Sequence, residues 1–363
     1  MEIDAHIDSV ETRLQGLMKL LQGNVKIVSH PRKLLNRSRV RRVGYQMSIK
    51  IGETEIKKGE KVKGFIKVGE ASTHDVNMPY IVINGSEAGP RLCVLGGIHP
   101  LEYASILGVL RVAKEVEPGD LKGTLIIVPV VNTDGFNARA AFNNPIDYVN
   151  QNRVFPGDPE GTMSRRVADA LFENFVSKAD ALIDSHGGDL TEDIYKFVIV
   201  GNAEDPDVHQ KMVDMASCYD SLYTRVTDIK GSTKEALDKY GIPCITPESG
   251  TPYPVREEEI AFHRDGIVNV LKYFGMLEGE PEMKKDVPVN PEQVRLCAER
   301  GGLWLQKVNA GEAVKKGQVL GEVVNLFGET LQTVEAPFDG VANNSRTSNV
   351  ANSGDTLLWV IKI

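Results

Sequence analysis

Paired cysteines are missing from this chain: the four cysteines fall at positions 93, 218, 244 and 297, with no C-x-x-C spacing. That spacing argues against a disulfide framework or a cysteine-built metal site. Cys93 and Cys244 lie in apolar runs that read as buried strands, where a thiol behaves as a small hydrophobe. Long hydrophobic runs are missing too. No stretch approaches the roughly 20 apolar residues that cross a bilayer, so no membrane partner is expected. The acidic opening Met1-Glu2-Ile3-Asp4 is unlike a secretory signal, which makes a cytoplasmic address the expectation. Positive charge is scarce overall: a formal net charge of −8 argues against a generic nucleic-acid coat. One segment inverts that balance. From Asn24 to Lys50 there are eight Lys or Arg residues and no acid, among them Arg32, Lys33, Arg37, Arg39, Arg41 and Arg42. Such a run could meet phosphates, but the plainer reading is a solvated arm or one packed on another subunit's acidic face.

What is present is ordinary globular material. Hydrophobic residues make up 41% and charged residues 25% of 363, enough for one large α/β domain with smaller attachments. At the N-terminus, Ile3, Ile7, Val10, Leu14, Leu17, Met18 and Leu21 recur at helical spacing before Gly23. An amphipathic helix there would dock on the core or on a neighbouring subunit as a homo-oligomer contact. Residues 1–45 are therefore read as a helix and basic arm.

Beyond residue 46 short strands begin. Pro79 to Gly85, Arg91 to Leu95, Thr124 to Val131 and Ala181 to Asp184 read as strands, while 101–116, 162–178 and 267–274 read as helices. The alternation predicts a mostly parallel mixed sheet flanked by helices, over residues 46–280. A Pro- and Lys-containing stretch follows, and the last segment is punctuated by Gly311, Gly317, Gly321, Gly328, Gly340 and Gly354. No long helix fits there, so 281–363 is read as a linker and a small all-β, barrel-like domain.

The chemistry concentrates at strand ends. His99 and Glu102 stand three residues apart where a strand gives way to a helix, and His186-Gly187-Gly188 follows the strand ending at Asp184. In open α/β sheets ligands collect beyond the carboxyl ends of strands. Two imidazoles and one carboxylate are the ligand set of a catalytic zinc with a position left for water. A lone H-x-x-E is common by chance, and the shared strand-end context is what lifts it. Asp184 is placed to orient an imidazole. Glu248, in Thr246-Pro247-Glu248-Ser249-Gly250 beyond another apolar strand, is a candidate general base, though by position alone it could equally be an exposed loop acid. Asn152-Arg153, before Val154-Phe155-Pro156-Gly157, could clamp a substrate carboxylate, and Arg139 could polarise a scissile carbonyl.

Several elements in order resemble the succinylglutamate desuccinylase/aspartoacylase family, a branch of the zinc carboxypeptidase-like fold. They are Gly96-Gly97-Ile98-His99 with Glu102, Asn132-Thr133-Asp134-Gly135-Phe136, Asn152-Arg153-Val154-Phe155-Pro156-Gly157, Ile183-Asp184-Ser185-His186-Gly187-Gly188, Pro247-Glu248-Ser249-Gly250 and Gly266-Ile267-Val268-Asn269. The resemblance implies one zinc per chain on His99, Glu102 and His186, with Glu248 as base and Asn152 and Arg153 on the substrate carboxylate. Pro100 stands where a small residue often follows the first ligand, and the spacing from Arg139 to Asn152 departs from the family's usual one. The activity implied is removal of an acyl group from a small N-acyl amino acid. A zinc carboxypeptidase acting on peptide C-termini and a non-catalytic binding protein of the same fold are the alternatives. The C-terminal segment is similar to biotinyl/lipoyl domains, but Glu329 stands where a carrier lysine would be needed. A lid or wall that limits substrate size is the expected role.

Overall fold

The computed structural model describes residues 48–363, so the helix and basic arm expected over 1–45 lie outside the described residues. The chain opens with a hairpin, β1 (Ser48–Ile51) and β2 (Thr54–Lys57), then β3 (Lys61–Glu70), β4 (Asp75–Asn84) and β5 (Glu87–Leu95). Helix α1 (Tyr103–Glu115) leads to β6 (Lys122–Val128), which stops at Pro129 because proline lacks the N–H that would continue the ladder. Next come α2 (Thr133–Ala138), α3 (Met163–Asn174), β7 (Ala181–Asp184), β8 (Glu192–Val200), α4 (Pro206–Ser217), β9 (Thr224–Val226), α5 (Glu235–Tyr240), β10 (Cys244–Gly250) and α6 (Glu257–Tyr273).

The remainder is β-structure: β11 (Gln293–Cys297), β12 (Gly302–Gln306), β13 (Ala313–Val314), β14 (Val319–Val324), β15 (Thr330–Glu335), β16 (Gly340–Asn343), β17 (Ser345–Arg346), β18 (Val350–Ala351) and β19 (Thr356–Ile361).

A nine-stranded mixed sheet dominates, ordered β17-β8-β10-β7-β5-β6-β4-β3 with β9 beside β8. Its centre, β10-β7-β5-β6, is parallel, whereas β4 and β3 on one side and β8 and β17 on the other run antiparallel to their inner neighbours. The sheet is mixed, as expected; parallel pairing is found at the centre and between β8 and β9, while the other flanking strands are joined by reversals that sequence alternation does not locate. Side chains alternate across the central strands as a strand requires. Cys93, Leu95, Ile126, Val128 and Leu182 face a core closed by α3 and the β1–β2 hairpin. Leu92, Val94, Leu125, Ile127 and Ile183 face the opposite core, closed by α1, α4 and α6. Cys93 and Cys244 are free and buried, as their apolar surroundings implied.

The C-terminal strands form two four-stranded antiparallel sheets, β11-β19-β16-β13 and β15-β14-β12-β18, around a separate apolar core that includes Trp304, Leu320 and Leu357. Neither sheet closes on itself, so the barrel expected from the glycine punctuation is replaced by two open layers. The turn between β14 and β15 carries Leu326, Phe327 and Glu329 and no lysine. Strand β17 leaves this region to pair with β8, Ser345 opposite Asp193 and Arg346 opposite Glu192, which extends the large sheet.

Candidate metal centre

Strands β5, β7 and β10 are neighbours at the centre of the large sheet, so the segments that leave their carboxyl ends meet. His99 follows β5 through Gly96-Gly97. Glu102 occupies the cap position of α1, where the helix N-terminus favours a carboxylate. His186 follows β7, its N–H donating to the Pro247 carbonyl at 2.9 Å, and forms a bridge with Glu248 of β10. A Cβ on Gly187 would lie 2.3 Å from the Ser249 carbonyl oxygen, so only glycine lets these two strand ends approach.

The three side chains converge. His99 Nδ1 lies 2.8 Å from Glu102 Oε1, and His186 Nδ1 lies 2.9 Å from Glu102 Oε2. The two rings stand nearly perpendicular with centroids 4.8 Å apart. Their donor atoms form the one group among the described residues with the composition and spacing for a metal ion, all within 4.8 Å of one another. The fit can be tested on Glu102 Oε2. This atom is buried and 2.9 Å from His186 Nδ1, yet it accepts no hydrogen bond, so its lone pairs are available to a cation held between the side chains. A tetrahedral zinc with bonds of about 2.0 Å spaces its donors about 3.3 Å apart, near these separations. The donor set fits a zinc-type dication.

The surroundings orient the ligands. Asp184 Oδ2 is 3.1 Å from His186 Nε2 and accepts the Thr233 hydroxyl at 2.5 Å. Asn150 Oδ1 is 3.2 Å from His99 Nε2, and Phe142 meets the His99 ring edge-on at 5.2 Å. Carboxylate and carbonyl partners on the far nitrogen are what hold a ligating imidazole in one tautomer. Burial opposes charge on Glu102, but the His186 and His99 imidazoles outweigh it and hold the carboxyl down at about 2. Burial likewise opposes charge on His186, and the Asp184 and Glu102 carboxylates outweigh it and raise that imidazole well above its ordinary range. For Glu248, burial first, then the Glu102, Glu192 and Asp184 charges, push the carboxyl well up against the pull of His186. Glu192 is raised to about 7 by burial and by the Glu102 and Asp189 charges.

The sequence-derived residues are not all gathered here. Asn152 is buried with Nδ2 3.4 Å from His186 Nε2, whereas Arg153 is exposed and donates from Nη1 to the Asn152 carbonyl at 2.6 Å. Arg139 ends α2 in the left-handed region (φ 52°), exposed and with no hydrogen bond or ion pair to the site among the described residues. Asn150, Thr233, Phe142 and Glu192 went unnoticed in the sequence. Asn150 had a signal, two residues before Asn152 in the same turn; Thr233 had none, because tertiary packing alone brings it to Asp184.

The sequence model of the succinylglutamate desuccinylase/aspartoacylase catalytic domain matches residues 88–274. The chain belongs to that family. Every ligand candidate and Glu248 lie inside the matched span. Among relatives, the N-alpha-acetyl-L-2,4-diaminobutyric acid deacetylase of Halomonas elongata is 29% identical over 315 residues, covering 83% of this chain and 91% of the relative. The product-bound ectoine utilization protein EutE (DoeB) from Ruegeria pomeroyi superposes with a TM-score of 0.76 at 27% identity, covering 88% of this chain and all of that one (100%). A succinylglutamate desuccinylase from a Silicibacter species gives 0.74 at 27% identity, covering 85% and 97%. No helix among the described residues is long and apolar enough to cross a membrane.

Proposed function

We propose that this protein is a zinc-dependent amidohydrolase that removes the acyl group from a small N-acyl amino acid. The observation that carries the reading is the convergence of His99, Glu102 and His186 within 4.8 Å, with Glu248 bridged to His186 on the adjacent strand end. Zinc held there would acidify a water and polarise the acyl carbonyl. Glu248 then takes a proton as the water oxygen adds to the acyl carbon, and hands it to the nitrogen as the C–N bond breaks. Asn152 and Arg153 are assigned to the substrate carboxylate, and Arg139 to the acyl oxygen. The C-terminal β-region is read as a wall: β17 extends the sheet beside β8, and Thr347 donates to the Leu190 carbonyl next to Asp189. A long peptide would have to pass that wall, which favours small acylated substrates. The diaminobutyric acid deacetylase among the relatives supports the same class.

The test is free-amine release by the zinc-loaded chain from a panel of N-acetyl and N-succinyl amino acids, N-α-acetyl-L-2,4-diaminobutyrate included, with short peptides alongside. Release from an acylated amino acid and none from peptides, abolished by a chelator and restored by zinc, is expected. Cleavage of peptides alone would make it a carboxypeptidase. A folded chain with no tight zinc site would make it a binding protein.

A further inference from the structure

One buried imidazole lies outside the metal-ligand set and has a specific partner beside the base. His263, fully buried in α6, has Nε2 3.1 Å from the Ser249 carbonyl oxygen. A carbonyl only accepts, so Nε2 carries the hydrogen, and Nδ1 is left buried with no partner. Burial pushes this imidazole down to about 4, which keeps it neutral over the working pH range and leaves it a donor rather than a proton carrier.

The bonded carbonyl belongs to the residue that follows Glu248. Here the β10–β8 ladder slips: Glu248 pairs with Phe197 but Gly250 with Ile194. The Ser249 N–H donates to the carbonyl of His186 at 3.3 Å, and its carbonyl faces His263. Gly250 continues at φ +120°, where a Cβ would lie 2.8 Å from that of Ala104. The Gly188 N–H also donates to the Gly250 carbonyl at 3.0 Å, so the His263 bond acts together with these backbone bonds in fixing the stretch. Helices α1 and α6 pack closely at this residue: a Cβ on Gly108 of α1 would come within 2.6 Å of the His263 Cβ. Glu102 caps α1, so α6 packs against the helix that presents a ligand while its His263 imidazole bonds the strand that presents Glu248.

We propose that His263 is a positioning residue for Glu248, its Nε2–H bond to the Ser249 carbonyl fixing the slipped end of β10 and with it the aim of the Glu248 carboxylate. The proposal rests on the reading of Glu248 as the base. The experiment compares His263→Leu, which cannot donate, and His263→Gln, which can, in the zinc-loaded full chain. The readouts are kcat, KM, bound zinc, and the effect of His263→Leu added to Glu248→Gln. Expected are a roughly ten- to hundred-fold fall in kcat for His263→Leu, with KM and zinc content unchanged. His263→Gln should recover kcat to within a few-fold, and His263→Leu should cause no further fall on the Glu248→Gln background. An unchanged kcat in His263→Leu, a His263→Gln enzyme as slow as His263→Leu, or a further fall on the Glu248→Gln background would overturn it. If His263→Leu does not fold, His263→Gln decides alone: near-wild-type kcat supports the bond and a large loss rejects it. A Glu248→Gln enzyme that stays active would sink the base assignment itself, an outcome separate from all of these.

Discussion

The central sheet and the C-terminal layers bury different things. At the carboxyl ends of β5, β7 and β10 the chain buries His99, Glu102, Asp184, His186, Asn152 and Asp189 together. From Gln293 to Ile363 the buried polar side chains are Asn343 and Ser345, both at the junction with β8, while the core around Trp304 is apolar. Burying charge costs free energy unless it is paired or put to use, so a cluster of it marks chemistry, and an apolar core marks packing. The two regions should therefore fail in different ways when each is cut at its centre.

The largest contrast pairs Glu248→Ala with Trp304→Ala. Loss of the base should lower kcat roughly 10²- to 10⁴-fold with zinc retained. Trp304→Ala should cost about 3–5 kcal/mol of stability through the cavity it leaves, with kcat in the folded fraction within a few-fold of wild type. Steady-state kinetics, zinc analysis and urea unfolding on both variants measure this. A Trp304→Ala enzyme that stays folded but loses turnover would mean that the C-terminal region shapes the site more deeply than a wall does.

A pH prediction sharpens the same division. An imidazole moved from its ordinary value near 6.5 to about 4 binds fewer protons folded than unfolded between those values. It therefore withdraws stability as pH falls from 6.5 toward 4, by up to about 3 kcal/mol. His263→Gln should flatten that part of the stability–pH curve relative to wild type, and Trp304→Ala should lower the curve without changing its slope. Urea unfolding at a series of pH values separates them; parallel curves for His263→Gln and wild type would show that His263 keeps an ordinary pKa.

The same contrast explains what could be read from sequence. Strand-end placement of His99 and His186 was visible because buried apolar runs announce strands, and ligands gather past their ends. The pairing of those ends was not, since β5, β7 and β10 become neighbours only through the sheet order. Thr233 and His263 are 49 and 14 residues from the partners they bond, so no local pattern connects them. Which strands of the mixed sheet run antiparallel, and the open C-terminal layers, escaped for a related reason: alternation and glycine spacing identify strands but do not say which edges pair.

The smallest effect tests the seam between the regions. Asn343, almost wholly buried at the end of β16, accepts the Tyr195 N–H at 2.7 Å and donates to the Tyr195 carbonyl at 3.0 Å. The Tyr195 ring also rests on Gly311, where a Cβ would fall 2.6 Å from it. This clamp holds β17 beside β8, and with it Glu192 near the site. Asn343→Ala leaves the Tyr195 N–H and carbonyl without these partners and should cost about 1–3 kcal/mol. If β17 forms one wall of the substrate site, KM for the acylated amino acid should rise several-fold while kcat holds, because the metal ligands follow β5 and β7, beyond β10, and Glu248 lies on β10 itself. Asn343→Asp keeps the acceptor for the Tyr195 N–H but sets a buried carboxylate oxygen against the Tyr195 carbonyl, so it should destabilise at least as much as Asn343→Ala. A loss of stability with KM unmoved would reduce the seam to packing and leave the wall without a role in substrate choice.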